Sequence, residues 1–354
     1  MAERDLEDLR ERIRQLDDEL LAKAAERVEL ARRVGELKRR HDLPTIDYTQ
    51  ERVVLDHARA TAQARGLDPR LAEDLLARLI GAAVSAQDED SLRLTQAGAG
   101  QKAIVVGGAG RMGRWLTRFL SAQGYVVGSM DPAGPRELHE WASRALPTAE
   151  LVMCAAPPGA TAELYRQWAK QPPQGVVCDI ASIKTPLLEP IRALRKAGGR
   201  VASIHPMFGP SVSLLRDADV VICDTGDAES GAVVEKLFEP TTAHLVHVPL
   251  ADHDRIMADL LSLAHATAIA FALALPQEAH PVRSTTFQAL ESLAGAVVRE
   301  SPDVYFEIQA MNPHSPAALD RLRGALERIV AAVSARDAKA FRALLGEGQK
   351  RTRI

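Results

Sequence analysis

The chain has 354 residues, of which 46% are apolar and 26% charged, and its formal net charge at pH 7 is −3. This length suits two or three domains, and the composition is that of an ordinary globular protein rather than one with a nucleic acid or a membrane as partner. The three cysteines, Cys154, Cys178 and Cys223, lie in apolar runs without the spacing of metal ligands, so we expect buried reduced thiols, no metal site and a cytoplasmic location.

Residues 1–95 are predicted to form a domain of three helices. Apolar residues recur at spacings of three and four from Leu6 onwards, which predicts one helix through about Arg39. Further helices are expected at about 49–65 and 69–86. At about 1.5 Å per residue the first helix would be roughly 50 Å long, too long for its own domain to cover. We therefore expect a homodimer in which a second copy packs on this helix.

Three basic side chains on these helices could bind a small anionic ligand. Arg27 and Lys38 are eleven residues apart, which places them within roughly 20° of each other on one helical face. Arg10 lies roughly 26 Å from Arg27 along the axis, so it could reach only the pocket of a second copy. Periodicity by itself favours a different interpretation, in which all three are solvated surface charges.

The segments LRERIRQLDDELL, AERVELARRVGELK and LPTIDYTQERVVL resemble the helical chorismate mutase family over residues 5–90. The resemblance implies an intertwined dimer that rearranges dianionic chorismate by positioning and electrostatics alone. It also implies that the carboxylates are bound by Arg10 of the second copy, Arg27 and Lys38, the ether oxygen by Lys38 and Gln87, and the ring-hydroxyl side by Asp47 and Glu51. Gln50 and Ala83 replace an arginine and a serine of the family, which predicts weaker mutase activity.

Strands and helices alternate over residues 101–248, which predicts an α/β domain with a Rossmann-type, doubly wound sheet. The strand KAIVV runs directly into GGAGRMG and an amphipathic helix, the context in which GxGxxG binds a dinucleotide pyrophosphate. An acid at the end of the following strand can accept bonds from ribose hydroxyls and repels a 2′-phosphate, so we expect NAD rather than NADP. The expected cofactor-binding residues are Gly108, Gly110, Arg111, Met112, Gly113 and Asp131.

The apolar runs ELVMCAAPP, GVVCDIASIK, GRVASIHPM and DADVVICDT are typical of parallel strands, whose carboxyl ends hold ligands in doubly wound sheets. Ser182 and His205 both fall at such ends. The stretch SIHPMFGP restrains the chain after His205 with two prolines and a glycine. A histidine held there, beside a nicotinamide, could take a proton from a substrate hydroxyl while hydride leaves for the cofactor.

Residues 249–354 are predicted to form a helical domain that closes the substrate cleft and pairs subunits. The apolar run Leu260–Leu275 is short for a bilayer, so we expect a buried helix there. His265 lies within this run. The pattern alone leaves open whether His265 is a satisfied core histidine or a ligand-binding residue.

Residues 102–345 resemble prephenate dehydrogenase through VVGGAGRMG, DIASIK, IHPMFGP and HDRIMADLLSLAHA. A mutase domain followed by this dehydrogenase is similar to the bifunctional family in which the first site makes the substrate of the second. The resemblance implies oxidative decarboxylation of prephenate to 4-hydroxyphenylpyruvate on the route to tyrosine. It further implies that His205 deprotonates the ring hydroxyl, that Ser182 orients His205 and this hydroxyl, and that His265 contacts the substrate side chain.

Three departures leave the ring substrate open. Ala296 stands where the bacterial family has an arginine for a substrate carboxylate, and Ser211 stands where an acid often follows HPMFGP. Arg299 is the nearest cation to the first of these positions, three residues on, and we predict that it replaces the missing arginine. The spacing before RESPDVY looks closer to arogenate-using enzymes.

Two alternatives therefore stand beside the bifunctional enzyme: a degenerate N-terminal module for dimerisation or effector binding, and a dehydrogenase for arogenate or an amino analogue of prephenate.

Overall fold

The computed structural model describes residues 2–41, 43, 47–209, 215, 218–276, 278, 282–299 and 301–352. The helices are α1 (Ala2–Arg40), α2 (Tyr48–Ala64), α3 (Pro69–Thr95), α4 (Arg111–Ala122), α5 (Arg136–Ala145), α6 (Pro158–Trp168), α7 (Leu188–Lys196), α8 (Ala228–Phe238), α9 (His253–Met257), α10 (Ala264–Ala274), α11 (Thr285–Val298), α12 (Pro302–Ala310), α13 (Ser315–Ser334) and α14 (Ala338–Arg351). The strands are β1 (Lys102–Val106), β2 (Val126–Met130), β3 (Leu151–Cys154), β4 (Val176–Asp179), β5 (Arg200–Pro206), β6 (Asp219–Asp224) and β7 (His244–Pro249).

The chain divides into two compact units. The first unit comprises Met1–Ala156, Lys170–Ile180 and Leu194–His247, and it contains α1 to α3 and nearly all of the sheet. The second unit comprises Pro157–Ala169, Ala181–Ala193 and Val248–Ile354, and it is mainly helical.

Helices α1 to α3 confirm the three predicted helices, with one difference in length. The third was expected to end near residue 86, but α3 continues to Thr95 and stops at Gln96, whose positive φ of 39° breaks the helical path. Leu92 explains the extension, because it is buried in the same apolar cluster as Trp115 and Phe119 of α4. Packing against the sheet region, which the local pattern does not encode, adds the last turns.

The apolar stripe of α1 is left uncovered within one chain. Leu9 is 63% exposed, and several other large apolar side chains of the same helix are also exposed. Exposed apolar surface of this extent is typical of an interaction site rather than of a solvated helix. The single chain therefore agrees with the expectation that α1 is too long for its own domain to cover.

The described residues form one sheet of seven strands in the order β2-β1-β3-β4-β5-β6-β7. Strands β1 to β5 pair in parallel, as predicted. The prediction of a parallel strand for DADVVICDT is wrong, because β6 runs antiparallel to β5, with His205 opposite Val221. A parallel crossover usually needs a helix, and the described residues of the connection 207–218 form none. Strand β7 was not predicted, and most of its side chains are exposed.

The chain reverses its direction of travel across the sheet at β1, which has β2 on one side and β3 on the other. In open α/β sheets such a reversal leaves a crevice at the carboxyl ends of the strands, where ligands bind. Strands β3 and β4, and β1 after its first residue, are buried on both faces, whereas the edge strand β2 is mostly half-buried. The three cysteines are buried thiols, as expected.

Helix α9, a π-helical segment (Ala258–Leu263) and α10 form one continuous run in the second unit. Among the described residues, this run is one helix, His253–Ala274, long and apolar enough by length and composition to cross a membrane. Only 22% of its most apolar window is buried, and Leu273 is 81% exposed. The prediction of a buried helix over 260–275 is therefore wrong for a single chain, because no element among the described residues covers its outer face.

Candidate active sites

The glycine-rich loop between β1 and α4 has no room for side chains. Gly107 has a φ of +76°, and a Cβ added to it would lie 2.9 Å from the carbonyl carbon of Ala155, in the segment after β3. A Cβ on Gly108 would meet the Ser129 side chain, and one on Gly113 would meet the carbonyl oxygen of Gly107. These contacts fit the tight turn and close helix packing that a dinucleotide-binding loop needs. Sequence reasoning did not single out Gly107, although it precedes the predicted motif directly.

The first turn of α4 begins beside this loop. Gly110 occupies the N-cap and supplies no capping side chain, so the positive end of the helix is accessible to an anion. Arg111 is exposed, whereas Met112 is half-buried and packs against the apolar core. Met112 therefore has a packing role in addition to its place in the predicted motif.

Asp131 follows β2 and binds the backbone of the same loop. Its Oδ2 accepts a hydrogen bond from the Ala109 N–H at 3.0 Å, and its Oδ1 accepts one from the Ala133 N–H at 2.8 Å. A carboxylate has about four lone-pair sites, so both oxygens can still accept ribose hydroxyls. The predicted ribose ligand thus also positions the loop that would hold the pyrophosphate.

His205 lies inside strand β5 and is only 4% exposed. Its neighbour Ser203 is buried and pairs in register with Asp179 at the end of β4. The sheet itself, in addition to the prolines after it, therefore restrains the histidine backbone. Ser182 follows β4 by three residues, is half-buried and belongs to the second unit. Ser211, the expected departure from the family pattern, lies outside the described residues.

His265 lies at the start of α10 and contacts an aromatic ring. Its imidazole meets Tyr305 edge-on, with ring centroids 4.4 Å apart. Burial lowers the pKa of His265 below its ordinary value. Its Nδ1 has no hydrogen-bond partner in the part of the chain that the structure describes. A neutral imidazole with one nitrogen available suits a hydrogen bond to a ligand better than a satisfied core position.

The sequence suggested that Arg299 lies on a continuing helix, but the helix ends before it. Helix α11 ends at Val298, and Arg299 is its exposed C-cap residue, with the guanidinium lying over Gly295. A cation at this end of a helix is favourable in any case. Two other arginines of the second unit form ion pairs: Arg255 with Asp252 at 3.3 Å, and Arg283 with Glu291 at 3.1 Å.

A buried polar cluster in the second unit was missed by sequence reasoning. Asp254 accepts hydrogen bonds from the N–H groups of Lys184 and Thr185 at 2.8 and 2.7 Å, and from His253 Nδ1 at 2.7 Å. The side-chain amide of Asn312 donates to the Asp254 carbonyl at 2.7 Å. The segments DIASIK and HDRIM contribute residues to this cluster. Their polar residues stand beside apolar runs, and this pattern could have indicated buried polar contacts.

The mutase candidates lie on all three N-terminal helices. Arg27 and Lys38 are half-buried on α1, as their common face predicts. Gln87 of α3 is buried, its Nε2 donates to the Ala31 carbonyl at 2.5 Å, and it packs on Gly35, where a Cβ would lie 2.6 Å away. In one chain, Gln87 thus already binds the backbone of α1.

The remaining mutase candidates are closer to solvent. Asp47 is the N-cap of α2 and accepts the Gln50 N–H at 3.0 Å. Glu51 is half-buried and lines a cavity of about 400 Å³ along α2. Arg10 is exposed and lies 3.5 Å from Glu7 on its own helix.

Two family models match the chain. Residues 9–88 match chorismate mutase type II, a range that contains all six mutase candidates, and residues 138–247 match the nucleotide-binding domain of prephenate dehydrogenase. The second range begins after the glycine-rich loop and Asp131, and it includes Ser182 and His205.

Individual relatives agree with these two matches. The T-protein of Enterobacter agglomerans is 28% identical over 340 residues, which cover 94% of this chain and 89% of that protein. The 4-amino-4-deoxyprephenate dehydrogenase of Streptomyces pristinaespiralis is 30% identical over 270 residues, 70% of this chain and 89% of that protein. The crystal structure of prephenate dehydrogenase from A. aeolicus with hydroxyphenyl propionate and NAD+ has a TM-score of 0.55 at 16% identity, covering 71% of this chain and 96% of that one. The last likeness concerns the fold alone.

Proposed function

This chain belongs to the prephenate dehydrogenase family and carries a chorismate mutase domain ahead of it, and we propose that both sites work in sequence during tyrosine biosynthesis. The first isomerises chorismate to prephenate, and the second oxidatively decarboxylates prephenate to 4-hydroxyphenylpyruvate with NAD. The observation that carries this proposal is the presence, in one chain, of two matched domains whose reactions are consecutive.

The cofactor proposal rests on the loop after β1. The crowded glycines, the uncapped start of α4 and the carboxylate of Asp131 fit a dinucleotide, and the negative charge of Asp131 disfavours the 2′-phosphate of NADP. Bound NAD would supply the acceptor for the hydride. Gly108, Gly110 and Gly113 would admit the pyrophosphate, with Asp131 at the ribose.

In the dehydrogenase site, His205 would take the proton of the ring hydroxyl while hydride leaves the same carbon. Burial in β5 limits the movement of His205, which suits a base that must meet one hydroxyl. Ser182 would orient His205 and that hydroxyl, and the open nitrogen of His265 would bind the substrate side chain. Loss of carbon dioxide then follows because it makes the ring aromatic.

In the mutase site, the protein would act through fixed charges alone. Arg27 and Lys38 share one face of α1, where they can bind the two carboxylates of chorismate, and Lys38 with Gln87 would stabilise the ether oxygen as its bond breaks. Asp47 and Glu51 would hold the ring-hydroxyl side. The pocket would be completed by Arg10 of a second copy, so the proposed enzyme is a homodimer; we propose a cytoplasmic location for it.

A second candidate is supported by Ala296 and by one relative. A dehydrogenase for arogenate or an amino analogue of prephenate would need a different set of side-chain contacts, and the 30% identical relative bears the name of such an activity. In that case residues 1–95, with Gln50 and Ala83, would serve as a dimerisation or effector-binding module.

The test is an assay of the purified chain with chorismate, prephenate, arogenate and 4-amino-4-deoxyprephenate in turn, each with NAD and with NADP. We expect chorismate to be isomerised and prephenate to be oxidised fastest with NAD. Oxidation of an amino compound without any conversion of chorismate would favour the second candidate. No oxidation of any of them would refute the dehydrogenase proposal.

A further inference from the structure

A buried carboxylate in the second unit holds the backbone of the segment that carries Ser182. Asp254 Oδ1 accepts the N–H of Lys184 at 2.8 Å, and Oδ2 accepts the N–H of Thr185 at 2.7 Å. Ser182 stands two residues before the first of these amides. Asp254 therefore fixes the chain just after Ser182.

The cluster around Asp254 is itself restrained. His253 is fully buried and lies 2.7 Å from Oδ1, and the buried Asn312 donates to the Asp254 carbonyl at 2.7 Å. Asp254 is only 4% exposed. Burying a carboxylate is costly unless its oxygens are hydrogen-bonded, so these donors allow the charge to remain and give it one orientation.

The ionised form of Asp254 is the form that this arrangement favours. Burial alone would raise the pKa of Asp254, but hydrogen bonds from His253, Thr185 and Lys184 together bring the pKa below its ordinary value. An ionised carboxylate accepts hydrogen bonds and donates none. It therefore matches the two backbone amides and cannot turn a donor toward either.

Asp254 takes the place of a capping side chain at the turn that follows Lys184. Residues Thr185–Leu187 form a 3-10 turn that leads into α7, and the residue before the turn, Lys184, contributes no capping side chain. Asp254 supplies the acceptors from 70 positions farther along the chain. A local serine or aspartate could stabilise a helix start equally well, so stability alone does not require an acceptor from another helix.

The helical run of Asp254 continues to a second candidate residue. Helix α9 passes through the π-helical segment Ala258–Leu263 to His265 at the start of α10. π-helical turns occur often at functional sites, and Gln309 donates to the Ser262 carbonyl within this one at 3.0 Å. One run therefore carries both the carboxylate that holds the Ser182 segment and the expected substrate ligand His265.

We propose that Asp254 is a positioning residue of the dehydrogenase, which acts through the amides of Lys184 and Thr185 to hold the hydroxyl of Ser182 toward the substrate. The proposal rests on the proposed function, which gives Ser182 its orienting role. Asp254 itself does not touch the reacting atoms in this scheme. Its loss should therefore lower kcat and leave binding of the cofactor nearly unchanged.

The first experiment replaces one acceptor oxygen of this carboxylate. Asp254→Asn keeps the shape of the side chain but turns an NH₂ group toward one of the two amides. We expect kcat for prephenate oxidation to fall roughly ten- to a hundredfold, with NADH binding, measured by fluorescence, and mutase activity nearly unchanged. Asp252→Asn is the matched control, because Asp252 is an exposed carboxylate that pairs with Arg255, and this variant should keep wild-type kcat.

A double-mutant cycle with Ser182→Ala separates positioning from stability. If Asp254 acts through Ser182, the double variant Asp254→Asn/Ser182→Ala should have the same kcat as Ser182→Ala alone. A double variant whose loss in kcat is the product of the two single losses would overturn the proposal. An Asp254→Asn enzyme with a lowered Tm and a normal kcat would also overturn it. If Asp254→Asn does not fold, Asn312→Ser enters the same cycle with the same two outcomes; it removes the bond that Asn312 donates to the Asp254 carbonyl, together with the one that its Oδ1 accepts from the His314 N–H.

Hydrogen exchange tests the backbone link without any substrate. The amides of Lys184 and Thr185 should exchange faster in Asp254→Asn than in wild type or Asp252→Asn. Unchanged exchange at both amides would overturn the proposal. If the wild type oxidises none of the candidate ring substrates, the proposed function fails instead, and the exchange result remains as a separate measurement of the Asp254 contact.

Discussion

Helices α1 to α3 and the seven-stranded sheet differ in how much of a site one chain can build. At the sheet, the glycine loop, Asp131 and His205 are packed or hydrogen-bonded by neighbouring strands of the same chain. On the helices, Arg10 lies in solvent and the apolar stripe of α1 is uncovered. A sheet stacks several strand ends at one edge, whereas one long helix spreads its residues along an axis. The mutase site should therefore depend on a second copy far more than the cofactor site does.

The largest expected effect is on the helical side. Lys38→Ala should abolish conversion of chorismate, because the ether oxygen and one carboxylate lose their cation together, and should leave prephenate oxidation nearly intact. Chorismate consumption and NADH formation by the same preparation provide the two readouts. Parallel loss of both activities would show that the helices and the sheet do not function separately.

Mixing two inactive variants tests the dependence on a second copy directly. If each pocket takes Arg10 from one subunit and Lys38 from the other, a mixed dimer of Arg10→Ala and Lys38→Ala has one intact pocket. Unfolding and refolding an equal mixture should restore about a quarter of wild-type mutase activity, since about half of the dimers are mixed. No recovery from the two inactive variants would place Arg10 and Lys38 in the same subunit's pocket, whereas wild-type activity of Arg10→Ala alone would remove Arg10 from the pocket.

The next effect is confined to the sheet. His205→Asn should lower kcat for prephenate oxidation by about 10²–10⁴-fold while NADH binding persists, because the variant lacks the proton acceptor. His244→Asn is a control, since His244 is an exposed histidine on β7. Near-normal turnover of His205→Asn would remove His205 from the mechanism.

Arg299→Ala tests the predicted role of Arg299 as a substrate ligand. If Arg299 binds the substrate carboxylate in place of the family arginine, KM for prephenate should rise at least about tenfold with kcat little changed, the pattern of lost uniform binding. An unchanged KM would mean that Arg299 serves only as the favourable charge at the end of α11.

Asp131→Ala should have a smaller effect, on the preference between NAD and NADP. The ratio of kcat/KM with NAD to that with NADP should fall, because the acid both accepts ribose hydroxyls and repels a 2′-phosphate. Initial rates with each cofactor give the ratio. If the wild type already used NADP equally well, the assignment of Asp131 would be wrong.

Asp88 joins the two regions and should give the smallest effect, on stability alone. It lies on α3 and accepts bonds from the Thr242 hydroxyl at 2.6 Å and the Thr242 N–H at 3.3 Å. Burial raises the pKa of Asp88 to about 6, despite those bonds. Since the folded chain then binds the proton more tightly than the unfolded chain, this group lowers the free energy of unfolding as pH rises from about 4 to 6.

Asp88→Asn should remove that dependence and keep an oxygen for Thr242. The variant should have a higher Tm than wild type at pH 8 and a similar Tm near pH 4.5, with a gain on the order of 2 kcal/mol at the higher pH. Thermal unfolding across this range measures it. Parallel pH profiles for the two proteins would show that Asp88 is not the group responsible.

Local chemistry explains which features could be predicted from sequence. The three N-terminal helices follow from spacing and caps, and the glycine loop follows from a turn that only glycines fit. The direction of β6 and the existence of β7 could not be predicted, because neither an apolar run nor a turn residue states which neighbour a strand will pair with. Arg299 was expected to continue a helix that ends at Val298.

The sequence by itself determined the three N-terminal helices, strands β1 to β5, the two family domains and most of the candidate residues, since these depend on patterns within a few turns of chain. Only the tertiary structure decided that α3 runs on to Thr95, that Gln87 binds the backbone of α1, and that Asp254 caps a turn 70 positions away. Each of these depends on which distant groups meet in a buried place, where a hydrogen bond or an apolar contact must be satisfied by whatever residue the fold brings there.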